Sequence, residues 1–326
     1  MKEKIKVTMR KNSVGMRGNM DKVSIVMATY NGETYLREQI ESILSNTYTE
    51  WTLEICDDGS KDNTVTIAKE FERQYPDKIK VHQNSKNLGV VLNFLEGARR
   101  AEGNYVMFCD QDDVWLANKI KKTLHYMKNM ENKYGKDKPI SVFTDAKVVN
   151  KDLQELNPSF HISNRLDCTK LNLSYMLMEN KLIGCTVMFN QEVKRKLALL
   201  PARARVHDWW IALISSSFGK IGYLKEATLL YRQHEHNVIG NQNFTNYINN
   251  RVRSLKKQKQ VLGLTIEQAR EFYELYKEEL PENERVILSE FASLNQYNGI
   301  KRRAKIIKYR FLKTGLVRNI GVLLLI

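Results

Sequence analysis

The sequence predicts an α/β fold with a mostly parallel, mixed central sheet, followed by a C-terminal helical tail. Short apolar runs alternate with segments of helical periodicity, which is the order of βαβ units. A content of 42% hydrophobic residues with only 5 Pro in 326 residues is typical of a folded globular protein. From about residue 241 the pattern is entirely helical. We therefore expect one domain over residues 20–240 and the tail over residues 241–326.

The first half of the domain is predicted to contain four strands with helices between them. Continuous apolar runs predict the strands, which lie at Val23–Thr29, Trp51–Cys56, Ile79–His82 and Tyr105–Cys109. Apolar side chains at helical spacing predict helices over Thr34–Ser45, from an N-cap at Asp62, and over Val90–Arg100.

The second half of the domain continues the alternation. A helix is expected from after Trp115 to about Lys133, and another begins at His207. Further apolar runs predict strands, which lie at Ile140–Val149, Leu182–Phe189 and Lys220–Tyr231.

The formal net charge of +15 is concentrated at the two ends of the chain. Residues 1–19 carry +5 and residues 251–326 carry +8, so residues 20–250 carry only +2. Because residues 1–19 have no apolar run of the ~7–15 residues found in signal peptides, we expect a disordered basic leader and a cytoplasmic protein. Nucleic acid is not expected as a partner, since the body is nearly neutral and its strand ends are acidic.

Polar residues follow three of the predicted strands, where loops of an open α/β sheet converge on a ligand. They are Thr29-Tyr30-Asn31, Asp57-Asp58 and Asp110-Gln111-Asp112-Asp113. Carboxylates gathered in one crevice repel one another unless a cation lies among them, and oxygen ligands in this number suit Mg²⁺ or Mn²⁺. Neither G-x-G-x-x-G nor G-x-x-x-x-G-K-[ST] occurs, so a metal-held nucleoside diphosphate-sugar is favoured over a dinucleotide or a P-loop nucleotide.

At this point the motifs resemble those of the family 2 glycosyltransferases of GT-A fold. The resemblance runs over about residues 22–240 and rests on short motifs in order. They are Val23–Gly32, Asp57–Thr64, Asn87–Asn93, Asp110–Trp115, His207–Trp210 and Tyr231–Gly240. The sequences of Asp110–Trp115, His207–Trp210 and Tyr231–Gly240 are similar to the rhamnosyltransferase-like branch that builds bacterial surface polysaccharides.

The resemblance implies a role for each matching position. Donor-binding residues would be Thr29, Tyr30, Asn31, Glu33, Asp57, Asp58, Asp110 and Gln111. Asp110 and Asp112, with His234, would be metal ligands; Asp113 is a second choice, and His236 is an alternative to His234. Asp208 would be the catalytic base of an in-line displacement that inverts the anomeric carbon. The same residues could instead serve only as turn residues, helix caps or strand ends.

The resemblance therefore implies an enzyme that transfers a sugar, best matched by L-rhamnose from dTDP-rhamnose, to a growing polysaccharide. A UDP-hexose donor, a non-catalytic GT-A scaffold and a sugar nucleotidyltransferase are the alternatives. The scaffold is disfavoured because Asp110, Asp112 and Asp208 are all present. The nucleotidyltransferase is disfavoured because Thr29–Gly32 is not a glycine-rich loop with a following Arg or Lys.

The end of the helical tail is predicted to contact an anionic membrane surface. Residues 301–318 contain eight basic and no acidic residues. Apolar residues lie between them, namely Ile306, Ile307, Phe311, Leu312, Leu316 and Val317. This pattern is typical of a helix in the headgroup plane, and it suggests a peripheral enzyme on the inner face of the membrane with a lipid-linked acceptor. Packing of a basic helix on the domain or on a partner subunit is the alternative.

Overall fold

A computed structural model describes residues 21–234 and 255–325. Within these residues nine strands form one sheet. They are β1 (Val23–Thr29), β2 (Trp51–Asp57), β3 (Ile79–Gln83), β4 (Tyr105–Cys109), β5 (Val114–Trp115), β6 (Ile140–Val149), β7 (Glu155–Asn157), β8 (Met188–Asn190) and β9 (Lys220–Arg232).

The helices before residue 220 lie between the strands, and those after residue 254 form the C-terminal part. The first set is α1 (Leu36–Leu44), α2 (Thr64–Gln74), α3 (Val90–Arg100), α4 (Lys119–Tyr134), α5 (Phe160–Ser163), α6 (Leu173–Met178), α7 (Gln191–Lys196) and α8 (His207–Phe218). The second set is α9 (Leu255–Tyr276), α10 (Glu282–Ala292), α11 (Gly299–Tyr309) and α12 (Leu316–Leu325).

The sheet is mixed and mostly parallel, as predicted. Its order is β3-β2-β1-β4-β8-β6-β9-β5, with β7 paired to β6. The strands β1, β2, β3, β4, β6 and β9 run in one direction, whereas β5, β7 and β8 run in the other. Because β1, β2 and β4 are parallel neighbours, the loops that follow them meet at one edge of the sheet.

Apolar side chains of the central strands alternate between two cores, one on each face of the sheet. In β4, Val106 and Phe108 join one core, whereas Tyr105, Met107 and Cys109 join the other. This alternation follows from the two-residue period of a strand and explains why the central strands are continuous apolar runs. β1 and β4 are almost completely buried in this way, whereas the edge strand β3 is partly exposed.

The C-terminal helices pack against the body and share the first of these cores. The rings of Trp210 in α8 and Phe272 in α9 lie 5.0 Å apart, and those of Phe291 and Phe311 lie 4.9 Å apart. Residues 1–19 and the predicted boundary at residue 240 lie outside the described residues, so that division of the chain remains a prediction.

Two predicted local features differ in the structure. The apolar run Leu182–Phe189 is largely a buried 3₁₀ turn at Gly184–Thr186, and the strand is limited to Met188–Asn190. An apolar run indicates burial without distinguishing a strand from other buried conformations, which accounts for the error. The N-cap position of α2 is Asn63 instead of Asp62, although Asp62 Oδ1 accepts from the Thr64 N–H at 3.0 Å.

The predicted basic amphipathic segment is two helices, α11 and α12. Arg310 and Gly315 between them have positive φ angles of 56° and 85°, which end the first helix and reverse the chain. Ile306 and Phe311, which were expected to face lipid, are instead fully buried in the core, whereas Ile307, Leu316 and Val317 are exposed. Among the described helices, none combines the length and the apolar character that a membrane crossing requires.

Candidate active site

The loop after β1 is held by side chains from the loops after β2 and β4. Gln111 clamps Tyr30, because its Oε1 accepts from the Tyr30 N–H at 2.9 Å and its Nε2 donates to the Tyr30 carbonyl at 3.2 Å. Asn31, with a left-handed φ of 48°, donates its N–H to Ser60 Oγ at 2.9 Å. Glu33 Oε2 accepts from the N–H of Asn63 at 2.9 Å. Of the predicted donor-binding residues of the first loop, Tyr30 therefore contacts Gln111, whereas Asn31 and Glu33 contact the segment after β2.

Asp57 organises the turn that follows β2. Its carboxylate accepts from the backbone N–H groups of Gly59 and Ser60 at 3.1 and 3.0 Å, and from the hydroxyl of Thr29 at 3.2 Å. It also hydrogen-bonds to the Ser60 hydroxyl. These contacts explain why the buried carboxylate is tolerated, and any donor contact of Asp57 remains a prediction.

Asp58 holds the loop before α3. Its carboxylate accepts from Asn84 Nδ2 at 2.9 Å, from the Leu88 N–H at 2.7 Å and from the Gly89 N–H at 2.8 Å. Its carbonyl oxygen accepts from Asn87 Nδ2 at 2.9 Å. The Asn87-x-Gly89 segment that contributed to the resemblance is thus tied to the acidic pair after β2.

Asp110 and Asp113 lie together after β4. One oxygen of each and the sulfur of Cys185 lie within 4.8 Å of one another. Asp113 is buried, and its Oδ1 accepts from the Arg232 N–H at 3.1 Å. Its Oδ2 has no hydrogen-bond partner among the described residues. Asp113 thus faces the interior, whereas Asp110 is half-buried.

Burial and mutual repulsion raise the pKa values of these carboxyl groups. The pKa of Asp110 lies well above its ordinary value because of burial and the nearby charges of Asp113, Asp112 and Asp208. Burial and the charge of Asp112 raise the pKa of Asp113 to about 7. Burial raises the pKa of the Cys185 thiol, so this thiol is uncharged. An excess of negative charge is concentrated at the end of β4.

Asp112 faces a residue from the far end of the domain. Its Oδ2 lies 2.8 Å from Nε2 of His234, whose ring lies 5.0 Å from that of Tyr35. Arg232 supports this contact, because its Nε donates to the Asp112 carbonyl at 2.8 Å. The structure therefore brings His234 to Asp112, while His236 lies outside the described residues.

Among the described residues, the predicted metal ligands do not form one cluster. Asp110 lies with Asp113 and Cys185, whereas Asp112 is paired with His234. The carboxylate oxygens of both groups are ligands that suit Mg²⁺ or Mn²⁺. Burial and repulsion together raise the pKa of Asp110, and a cation would relieve the repulsion.

Asp208 is the second residue of α8 and is buried together with Trp209 and Trp210. Burial raises its pKa to about 6, although hydrogen bonds from the Asn180 side chain and from backbone N–H groups oppose the shift. One of these is the Trp209 N–H, which donates to Asp208 Oδ1 at 2.7 Å. The negative charge of Asp208 contributes to the raised pKa of Asp110.

The start of α8 is positioned by an unusual buried histidine. His207 stacks on Phe94 with ring centroids 3.9 Å apart, and burial lowers its pKa to about 3. Gly184 passes directly over this ring, since a Cβ at Gly184 would lie 2.5 Å from His207 Nε2. The close approach brings the Gly184 N–H to the Asp208 carboxylate.

Three residues that support the site were not assigned from the sequence. They are Arg232, Asn180 and Cys185. Arg232 lies in the Tyr231–Gly240 motif, so the resemblance to the family already pointed to this segment of the sequence. Asn180 and Cys185 lie in no motif, and only the three-dimensional structure places them near the carboxylates.

Comparison with known proteins identifies the family. The family model described as Glycosyl transferase family 2 matches residues 24–192, which include the loops after β1, β2 and β4. The chain belongs to glycosyl transferase family 2. The match covers the strands that carry the predicted donor-binding and metal-binding carboxylates, and it ends before Asp208.

Relatives within the family are similar over most of their length. The chain is 29% identical to dTDP-rhamnosyl transferase RfbG of Shigella flexneri over 227 residues, which are 66% of this chain and 73% of that protein. It is 26% identical to the putative teichuronic acid biosynthesis glycosyltransferase TuaG of Bacillus subtilis (strain 168) over 221 residues, 67% and 82% of the two proteins.

Solved structures confirm the GT-A glycosyltransferase fold. Mannosyltransferase PcManGT from Pyrobaculum calidifontis, in complex with GDP-Man and Mn²⁺, aligns with a TM-score of 0.52 at 14% identity. The alignment covers 93% of this chain and 79% of that one. TarS residues 1–349 of S. aureus, in complex with UDP-GlcNAc, aligns with a TM-score of 0.50 at 16% identity, covering 88% and 89% of the two chains.

The contact of Gly32 with Gln111 gives a prediction about the first loop of this glycosyltransferase. A Cβ at Gly32 would lie 2.2 Å from Gln111 Oε1, so we expect Gly32→Ala to displace Gln111 and to break its two hydrogen bonds with Tyr30. The free energy of unfolding should fall by ~1–2 kcal/mol in chemical denaturation. In a Gln111→Ala background the same change should cost close to nothing.

Gly263→Ala in α9 serves as the control, because a Cβ there meets no atom within 4 Å. This change should leave the free energy of unfolding equal or higher. An equal loss from Gly32→Ala with and without Gln111 would contradict the proposed clamp.

Proposed function

We propose that this glycosyltransferase moves L-rhamnose from dTDP-rhamnose to a hydroxyl of a growing, lipid-linked cell-surface polysaccharide, with inversion at the anomeric carbon. The observation that carries the proposal is Asp208, a buried carboxylate with a pKa of about 6 that lies near Asp110. Support for the donor comes from the printed name of the 29% identical relative RfbG, a dTDP-rhamnosyl transferase.

The reaction proposed is a single displacement. The acceptor hydroxyl oxygen forms a bond to the anomeric carbon, its proton passes to the Asp208 carboxylate, and the bond between that carbon and the diphosphate oxygen breaks. The nucleoside diphosphate leaves with the electron pair. Asp208 suits the role because burial beside Trp209 and Trp210 brings its pKa toward neutrality while it remains mostly ionised at pH 7.

The donor is proposed to bind between the loops after β1, β2 and β4. Tyr30, Asn31 and Glu33 would contact the nucleoside, with Asp58 beside them. Asp110, Asp112 and His234 would hold Mg²⁺ or Mn²⁺, and this ion would supply positive charge to the departing diphosphate. The presence of Mn²⁺ in the PcManGT complex supports this assignment. Arg232 would act as a positioning residue, because it fixes the Asp112 backbone.

A screen of nucleotide sugars tests the donor and the metal together. With Mn²⁺ present, we expect release of dTDP from dTDP-rhamnose, with slower release of nucleotide from UDP-hexoses and GDP-mannose. EDTA should abolish the release and added Mn²⁺ should restore it. His234→Ala should raise the Mn²⁺ concentration for half-maximal rate at least tenfold, since one of three protein ligands is lost.

His125→Ala is the matched control, because His125 is exposed on α4. Full turnover in EDTA would refute the metal, and a preference for a UDP-hexose would refute rhamnose. Silence with every donor would favour a non-catalytic scaffold.

The role of Asp208 is tested by Asp208→Asn, which keeps the shape of the side chain and removes the base. We expect kcat to fall by roughly two to four orders of magnitude, the range typical of a lost general base, while the Kd for donor stays within a few-fold. In the unaltered enzyme kcat should fall about tenfold per pH unit below pH ~6, because protonation with a pKa of about 6 removes the base.

Asp137→Asn is the control, since Asp137 is an exposed carboxylate before β6. Both variants should keep the melting temperature within a few degrees. A parallel loss of donor affinity and kcat in Asp208→Asn would contradict the assignment.

We further propose that α11 and α12 rest on the anionic inner face of the membrane. Exposed apolar side chains of α12 fall on one face, at Leu316, Val317, Ile320 and Leu324. On α11, exposed Ile300 and Ile307 are flanked by the exposed cations Lys301 and Lys308. Apolar side chains beside basic ones are typical of surfaces that lie at the headgroup boundary.

Flotation with phosphatidylglycerol vesicles tests this surface. Leu316→Gln/Ile320→Gln/Leu324→Gln alters only exposed positions, so the core remains intact, and it should weaken vesicle binding at least tenfold through lost apolar burial. Leu156→Gln/Ile162→Gln/Leu199→Gln, at exposed positions elsewhere, should bind as the unaltered chain does. Equal binding by both triple variants would contradict the proposed surface.

A further inference from the structure

A cavity of about 710 Å³ lies between the start of α8 and the C-terminal helices α9 and α12. Its size is within the ~300–1,000 Å³ typical of small-molecule sites. The residues predicted to bind donor and metal do not line it. It is therefore separate from the crevice after β1, β2 and β4, and we refer to it as the α8/α12 cavity.

The α8/α12 cavity borders the proposed base. Asn180 and the two neighbours of the His207-Asp208 pair, Val206 and Trp209, are among its lining residues. Asp208 itself is buried behind these residues and does not line the cavity. A molecule in the cavity would thus lie next to the residues that flank Asp208 in α8.

The lining carries an excess of positive charge. Glu179 is paired with Arg318, whose NH1 lies 3.0 Å from Glu179 Oε1. The other charged lining residues are Arg205, Lys257 and Lys313, so the net charge of the lining is +3. This polarity is opposite to that of the acidic group after β4 and suits an anionic ligand.

Two contacts hold the Arg205 side chain in place. Its guanidinium packs over the Trp209 ring at 5.1 Å, and its NH1 donates to Thr265 Oγ1 in α9 at 2.8 Å. It is half-buried and forms no ion pair with a carboxylate in the described part of the chain. A guanidinium held in this way presents its remaining N–H groups to a phosphate, which matches its fork geometry.

Most of the remaining lining is apolar, and part of it comes from α12. Val322 and Leu325 of α12 line the cavity. The exposed residues Leu316, Val317, Ile320 and Leu324 lie on the other side of the same helix, because these positions fall within about 100° of one another at 3.6 residues per turn. One helix therefore separates an apolar, cationic cavity from the exposed apolar surface.

We propose that the α8/α12 cavity binds the diphosphate and first apolar segment of a lipid diphosphate that carries the acceptor sugar. This inference rests on the proposed glycosyltransferase function and assigns it an acceptor site. Arg205, Lys257 and Lys313 bind the phosphates, and the apolar chain passes along α12 toward the membrane. The attached sugar then presents its hydroxyl toward Asp208 past Asn180 and Trp209, which line the cavity.

Binding of farnesyl diphosphate to EDTA-treated full-length protein, measured by calorimetry, tests the site without requiring turnover. We expect the unaltered chain to bind farnesyl diphosphate at least tenfold more tightly than inorganic pyrophosphate, because the chain adds apolar burial. Arg205→Gln/Lys313→Gln should weaken binding of farnesyl diphosphate at least tenfold through lost charge-assisted hydrogen bonds. Lys257→Gln alone, at an exposed position, provides a second test if the double variant does not fold.

Arg203→Gln/Lys136→Gln is the matched control, because it removes the same charge from exposed positions, one of them two residues before Arg205. Its affinity should stay within twofold. No binding by the unaltered chain, equal affinity for pyrophosphate, or equal loss in both double variants would each overturn the proposal. Binding as expected by a chain that releases nucleotide from no sugar donor would instead refute the proposed function and retain the site.

Discussion

The geometry of the site depends on the hydrogen bonds of the buried Arg232 guanidinium. It donates to the carbonyl oxygens of Asp112 and Lys151 at 2.8 and 2.6 Å, and to the carboxylate of Glu38. These partners belong to the loop after β4, the loop after β6 and helix α1. A planar guanidinium donates in fixed directions, so a single side chain sets the relative positions of three distant segments. The contact between Asp112 and His234 follows from that arrangement.

The same region accumulates negative charge that the protein itself neutralises only in part. Lys119 is a buried cation whose charge lowers the pKa of Asp113, and burial lowers the pKa of Lys119 itself to about 8 in spite of the acidic groups around it. Asp110 keeps a pKa well above its ordinary value. A site left with this repulsion is less stable than one whose carboxylates are paired, and a bound cation would restore the balance. Under the proposed function, a cation at this position would also lie beside the donor diphosphate.

Local patterns in the sequence locate the residues whose positions depend on one strand or one helix. The limits of α3 and β4 agree with the pattern, and the loops after β2 and β4 both contact the loop after β1 because parallel strands end at the same edge. The contact of Asn180 with Asp208 joins separate loops and has no local signature. Nor does periodicity distinguish an apolar side chain that faces lipid from one that faces a core, and so Ile306 and Phe311 were misplaced.

The acidic residues after β4 and the basic lining of the α8/α12 cavity have opposite charges, which has a physical reason under the proposed reaction. Both substrates would be anions, and two diphosphates brought to one base would repel each other if they shared a cationic pocket. An acidic site with an exchangeable metal on the donor side allows the nucleotide to leave after transfer, since its countercharge can leave with it. Fixed cations such as Arg205 on the other side would retain the acceptor lipid through that exchange. Under the proposed reaction, the exchangeable positive charge would therefore lie with the nucleotide, which must leave, and the fixed positive charge with the acceptor lipid, which must stay.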